Sequence, residues 1–137
     1  MKISTKGRYG LRLMVELALV YRQRLLPLKE VAKNQDISDK YLEQIIAPLG
    51  KSGLVVSVRG AQGGYALSRD PSEITVRDVL RAVEGGMALV DCLGDGCERK
   101  SICLANGVWQ QLQAALEETA QGITLADIIS EAHPCRE

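Results

Sequence analysis

Cys92, Cys97 and Cys103 stand within one twelve-residue stretch, Cys-Leu-Gly-Asp-Gly-Cys-Glu-Arg-Lys-Ser-Ile-Cys. Cysteine thiolates are the usual ligands of zinc, Cu(I) and iron–sulfur clusters. Gly94 and Gly96 let a short loop turn so that separated sulfurs converge. The gaps are four and five residues. Structural zinc sites carry close Cys-x-x-Cys pairs, and the stretch holds none. The spacing counts against zinc and leaves iron–sulfur ligation as one reading of the three sulfurs. A zinc site and a thiol–disulfide sensor, which needs only two of them, stay open beside it.

The chain that must position this loop has 137 residues, enough for one domain with a modest core. Phe is absent, so Leu, Ile, Val and Ala must fill the interior. Net charge is zero, but unevenly placed. Residues 1–70 carry 12 Lys/Arg against 6 Asp/Glu, and residues 71–137 carry 5 against 11. A basic half joined to an acidic half suggests that only the first half meets a polyanion. Arg12 and Glu16 break up the apolar stretch that a signal peptide would need. No apolar run approaches the ~18 residues that span a bilayer. A cytoplasmic location follows as an expectation. Thiols there stay reduced, which favours metal or redox chemistry over structural disulfides.

The periodicity predicts a first helix over 8–23, with Leu11, Met14, Val15, Ala18 and Tyr21 on one face. After Pro27 a short second helix covers 28–34. Ser38 reads as the N-cap of a third helix over 39–50, with Asp39 in its first turn. That helix has an apolar stripe of Tyr41, Leu42, Ile45, Ile46 and Leu49. Its opposite stripe is Lys40, Glu43, Gln44 and Ala47. Residues 54–58 and 65–68 read as the strands of a hairpin whose tip is glycine-rich. Thr75 with Asp78 has the capping-box pattern and opens a helix to about Glu84, stopped by Gly85-Gly86. A long helix is expected over 103–121 with Gly122 as its C′ stop. Thr124 with Asp127 repeats the capping pattern and opens a last helix to about Ala132.

Three helices followed by a hairpin describe a winged helix-turn-helix. The fold class is thus mainly α with a small β-hairpin wing, plus a long dimerisation helix. Residues 1–84 read as the DNA-binding domain, 85–102 as the cysteine loop, and 103–137 as the dimerisation helix and C-terminal segment. A helix fits the major groove of B-DNA, and outward polar side chains reach base edges. Gln44 suits adenine, Glu43 suits cytosine N4, and Lys40 suits guanine or phosphate; all three also suit a solvated helix face. Arg59 begins the wing tip beside Gly60, and a projecting arginine suits the narrow minor groove of A·T-rich DNA. Lys2, Lys6, Arg8 and Arg12 would contact phosphates.

Three separated motifs carry a resemblance: Met1-Lys-Ile-Ser-Thr-Lys-Gly-Arg-Tyr-Gly, Tyr41-Leu-Glu-Gln-Ile and Val58-Arg-Gly-Ala-Gln-Gly-Gly-Tyr65. Over residues 1–130 the chain resembles the Rrf2 family of bacterial winged-helix regulators. The resemblance implies a homodimer on a palindromic or pseudo-palindromic promoter site. It implies that Ser38, Lys40, Glu43 and Gln44 face the major groove and that Arg59 enters the minor groove. Lys6, Arg8, Tyr9, Gly60 and Gln62 lie in the motifs that flank these positions.

In the IscR-like, cluster-binding branch, three loop cysteines hold a cluster and a fourth ligand comes from elsewhere. The position matching that branch's histidine is Asn106, a poor iron ligand. The remaining candidates are Asp91, Asp95, Glu98, His133, Cys135, water or a residue of the partner subunit. A 2Fe-2S cluster is expected, with a 4Fe-4S cubane as the alternative. The CymR-like branch lacks the cysteine loop and responds through a partner protein, and the amino-terminal half resembles it equally. Cluster-assembly or cysteine-synthesis proteins are the corresponding partners.

Leu104, Val108, Leu112 and Leu116 recur every four residues along the long helix, an apolar stripe that a second copy could cover. An enzyme is not expected. The glycines at 60–64 lie in a hairpin, not at a strand-to-helix turn, so they are no nucleotide-binding fingerprint. The single histidine, His133, forms no catalytic constellation with a serine and an aspartate.

Overall fold

The structure is a computed structural model that describes residues 2–130. Six α-helices and one antiparallel hairpin run in the order α1 (Thr5–Leu19), α2 (Leu28–Gln35), α3 (Asp39–Lys51), β1 (Val55–Val58), β2 (Gly64–Leu67), α4 (Val76–Glu84), α5 (Asn106–Gln121) and α6 (Leu125–Ser130). Single turns of 3-10 helix at Pro71–Glu73 and Asp91–Leu93 complete it. Among the described residues, no helix is long and apolar enough to cross a membrane.

Helix α1 is displaced from its expected span, starting at Thr5 and ending at Leu19. Its start is set by Ser4, whose hydroxyl accepts from the Gly7 N–H. The apolar periodicity alone does not reveal this cap. Leu13, Met14, Leu17 and Ala18 form its buried face. They meet Leu42, Ile45 and Leu49 of α3, Val79 and Val83 of α4, and Leu125 of α6 in a single cluster. Burying such a side chain contributes about 1.5–3 kcal/mol each, which is why these apolar stripes fix the helix faces.

Helix α3 begins as expected, with Ser38 capping the Tyr41 N–H. It buries Leu42, Ile45, Ile46 and Leu49 and leaves Lys40, Glu43, Gln44 and Ala47 exposed. Pro48 lies inside it. Proline has no N–H to offer, so the Gln44 carbonyl loses its helical partner on the exposed side.

The hairpin pairs Val55 with Leu67, Val56 with Ala66, Ser57 with Tyr65 and Val58 with Gly64. Leu26 extends it on the far side through two bonds to Tyr65, each 2.9 Å. That contact was not legible in the sequence, because a single bridging residue has no period to reveal it. It also requires Gly64, where a Cβ would lie 2.9 Å from the Leu26 backbone.

The capping box at Thr75 and Asp78 is present, and so is the one at Thr124 and Asp127. The two caps are tied together, since Val76 donates to the Ile123 carbonyl and Leu125 to that of Ile74, both at 2.9 Å. Two expectations need correction. Helix α5 starts at Asn106 rather than Cys103, because residues 97–105 turn tightly on their own carbonyls. Gly122 ends α5 in a right-handed conformation, φ −78°, so it is not the left-handed stop expected of it.

Candidate nucleic-acid interface and cysteine loop

The starts of α1 and α3 lie side by side, and the hairpin packs against both helices. Tyr9 of α1 meets Tyr41 of α3 edge to face, with ring centroids 5.8 Å apart. This contact sets the start of α1 beside the start of α3. Lys6, Arg8, Ser38, Lys40, Glu43 and Gln44 are exposed around it, and Tyr9 is half-buried. The Arg8 guanidinium lies 5.8 Å from the Tyr9 ring and that of Arg12 lies 5.1 Å from it. Stacking of this kind holds a cation in place without neutralising it.

Arg12 has a structural role beyond the expected phosphate contact. Its guanidinium donates to the Gln35 side chain at 2.7 Å and to the Gln35 carbonyl at 2.8 Å. It braces the turn between α2 and α3, while the exposed guanidinium keeps further N–H donors.

Arg59, Gly60 and Gln62 are exposed at the wing tip. The tip is closed by the Gly63 N–H on the Gly60 carbonyl at 3.0 Å. Gly60 has φ +117°, and a Cβ at Gly63 would collide with the Val58 carbonyl. Both positions demand glycine, and the geometry presents Arg59 at the edge of a compact turn.

The cysteine loop leaves α4 through Gly85 and Gly86, with φ +75° and +155°. Gln113 of α5 then grips its first residues. The side-chain amide donates to the Met87 carbonyl and its oxygen accepts from the Leu89 N–H, each at 2.8 Å. Helix α5 is held to α4 by Arg81 on Glu117 at 2.8 Å and Arg77 on Gln121 at 2.7 Å.

Cys92 lies in the 3-10 turn, Cys97 between the two turns that follow it, and Cys103 before α5. All three are half-buried free thiols. Among the described residues, no three His, Cys, Asp or Glu side chains are placed to hold a metal ion. In kind the donors fit a thiolate-held iron–sulfur group; in position they must draw together. Nothing lies within 4 Å of where a Gly96 Cβ would stand, so the loop is uncrowded at that point. Asn106 is buried, only 7% exposed, and its side-chain oxygen accepts from Gln110 at 2.6 Å. Asp91, Asp95 and Glu98 are exposed on the loop. His133 and Cys135 lie outside the described residues.

The family model described as an iron-dependent transcriptional regulator, Rrf2, matches residues 3–131. The chain belongs to the Rrf2 family. It is 42% identical over 130 residues to the HTH-type transcriptional regulator CymR of Bacillus subtilis, covering 95% of this chain and 91% of that protein. It is 38% identical over 131 residues to the HTH-type transcriptional regulator IscR of Serratia proteamaculans, covering 95% and 80%. Among solved structures, that of B. subtilis CymR, the global cysteine regulator, superposes with a TM-score of 0.79 at 41% identity, over 95% of this chain and 97% of that one. T. potens IscR superposes with a TM-score of 0.81 at 39% identity, over 100% and 92%. This Rrf2 protein is thus a transcriptional regulator with the winged-helix fold, and its relatives are named as regulators rather than enzymes.

Proposed function

We propose that this Rrf2 protein is a homodimeric regulator whose grip on promoter DNA depends on an iron–sulfur cluster held by Cys92, Cys97 and Cys103. The observation that carries the reading is the shared frame of two features. An exposed polar and basic face on α1, α3 and the wing is joined, through α4 and α5, to a loop with three free thiols. When bound, the cluster supplies a redox-active centre sensitive to iron supply and oxygen.

Ser38, Lys40, Glu43 and Gln44 are the residues for the major groove, with Arg59, Gly60 and Gln62 at the minor groove. Lys6, Arg8 and Tyr9 anchor the phosphate backbone. Dimerisation follows from α5, which buries only Asn106 and Ala120 within its own chain. Leu104, Val108 and Leu112 stay exposed at 99%, 52% and 46%. An isologous pairing along this stripe would set two reading helices about one DNA turn, ~34 Å, apart. The fourth ligand falls to Asp91, Asp95, Glu98, His133, Cys135, water or the partner subunit. Asn106, a neutral amide, is already engaged by Gln110.

Anaerobic iron and sulfide analysis tests the ligand set. Wild-type protein is expected to be brown and to hold iron with acid-labile sulfide, and Cys97→Ala to hold neither. Equal iron in both would remove Cys97 from the site. A second reading, a cluster-independent regulator of cysteine metabolism, is favoured by the 42% identity to CymR. It predicts colourless wild-type protein that binds DNA at full strength.

A further inference from the structure

We propose that Glu84 is a positioning residue for DNA binding, holding the phosphate-facing start of α1 from the last turn of α4. Its carboxylate oxygen accepts from the Ser4 backbone N–H at 3.0 Å and from the Ser4 hydroxyl at 2.6 Å. The same hydroxyl accepts from the Gly7 N–H at 3.1 Å. A chain of three hydrogen bonds thus runs from α4 into the first turn of α1, which carries Lys6 and precedes Arg8.

The electrostatics explain why a carboxylate serves here. The N-terminus of a helix carries a partial positive charge that an acidic side chain offsets. Helix α1 has no acidic residue in its first turn. Glu84, 80 residues away in the chain, supplies that charge instead. The sequence accommodates it at Gly7, where a Cβ would collide with the Glu84 carboxylate oxygen. Any side chain at position 7 displaces the carboxylate.

Little else holds the residues just ahead of α1. Lys2 is exposed and Ile3 is 53% exposed. A cleft of about 350 Å³, lined in part by Ile3, Leu80, Met87, Leu89 and Leu116, opens beside them. The bonds from Glu84, together with the Tyr9–Tyr41 contact, therefore fix where Lys6 and Arg8 stand. Glu84 is also the last residue before Gly85 and Gly86, where the cysteine loop departs. The inference rests on the reading that Lys6 and Arg8 meet DNA phosphates.

The test is fluorescence anisotropy of a labelled duplex selected from a random pool by the wild-type protein, titrated across a series of salt concentrations. Glu84→Ala is expected to weaken binding about tenfold and to flatten the salt slope by about 0.9 for each phosphate no longer neutralised. Glu84→Gln keeps the acceptor oxygen and is expected to restore the wild-type slope. Gly7→Ala is expected to reproduce Glu84→Ala, and the double variant to be no weaker than either single one. Ser4→Ala removes the hydroxyl link at an exposed site and should shift the slope the same way, even if Glu84→Ala fails to fold. Binding by a folded Glu84→Ala protein as tight as wild type, or tighter, with an unchanged slope, overturns the proposal. Lys6→Ala and Arg8→Ala separate the failures. If they flatten the slope and Glu84→Ala does not, only the role of Glu84 falls. If they leave it unchanged, the phosphate-binding reading falls with it.

Discussion

Arg59 illustrates how backbone chemistry places a candidate contact residue. The side chain itself is ordinary; its placement depends on Gly60 at φ +117° and on Gly63, whose missing Cβ lets the chain pass the Val58 carbonyl. Arg59→Ala is expected to weaken binding to a cognate duplex by about 1–3 kcal/mol, with the thermal midpoint unchanged. Anisotropy paired with thermal unfolding measures both; equal affinity would remove Arg59 from the interface. Asp127 makes the corresponding point for stability. Its carboxyl is held below its ordinary value of 3.8, first by the Thr124 backbone N–H and then by the Thr124 hydroxyl group. A lowered folded-state pKa means the bond stabilises at neutral pH. That contribution is lost as pH falls through the folded value, below 3.8. An NMR titration of Asp127 should show the lowered pKa, and Thr124→Val, which removes the hydroxyl, should move it part of the way back. An unshifted wild-type titration would contradict the cap.

At the scale of elements, helix α5 is the piece most at odds with a solitary chain. It packs on α4 through Arg77 and Arg81 and leaves Val108 and Leu112 exposed, with Leu104 exposed just before its first turn. Contiguous exposed apolar surface of this kind marks an interaction face. Leu112→Arg is expected to turn a dimer into a monomer in sedimentation analysis, with helix content retained. A dimer of wild-type stability would place the interface elsewhere. The elements themselves were largely legible, because apolar stripes and capping residues act locally: Ser38, Thr75 and Thr124 each cap the helix expected of them. The misses have a common physical origin. The start of α1 depends on Ser4 and Glu84, far apart in sequence. The wing depends on Leu26, a lone bridge. The brace from Arg12 to Gln35 arises only on folding, so the sequence carries no sign of it. The arrangement of the thiols was not legible either, since spacing gives donor type and order but not convergence.

Over the whole molecule, the basic amino-terminal half and the acidic remainder divide the work. In the proposed function the first offers Lys6, Arg8, Lys40 and Arg59 to DNA, and the second carries the thiols. The two halves meet where Ser4 donates to Glu84, and within the second Gln113 ties α5 to residues 87 and 89 at the start of the cysteine loop. Coupling between sites is a free energy, and tenfold in affinity is about 1.4 kcal/mol. A change that small lies within reach of a few hydrogen bonds rearranged at such a junction. The most direct test is to titrate one selected duplex, under anaerobic conditions and fixed salt, with protein reconstituted with iron and sulfide and with protein stripped by a chelator. The account predicts dissociation constants that differ at least about tenfold. Superimposable curves for the two preparations would contradict it.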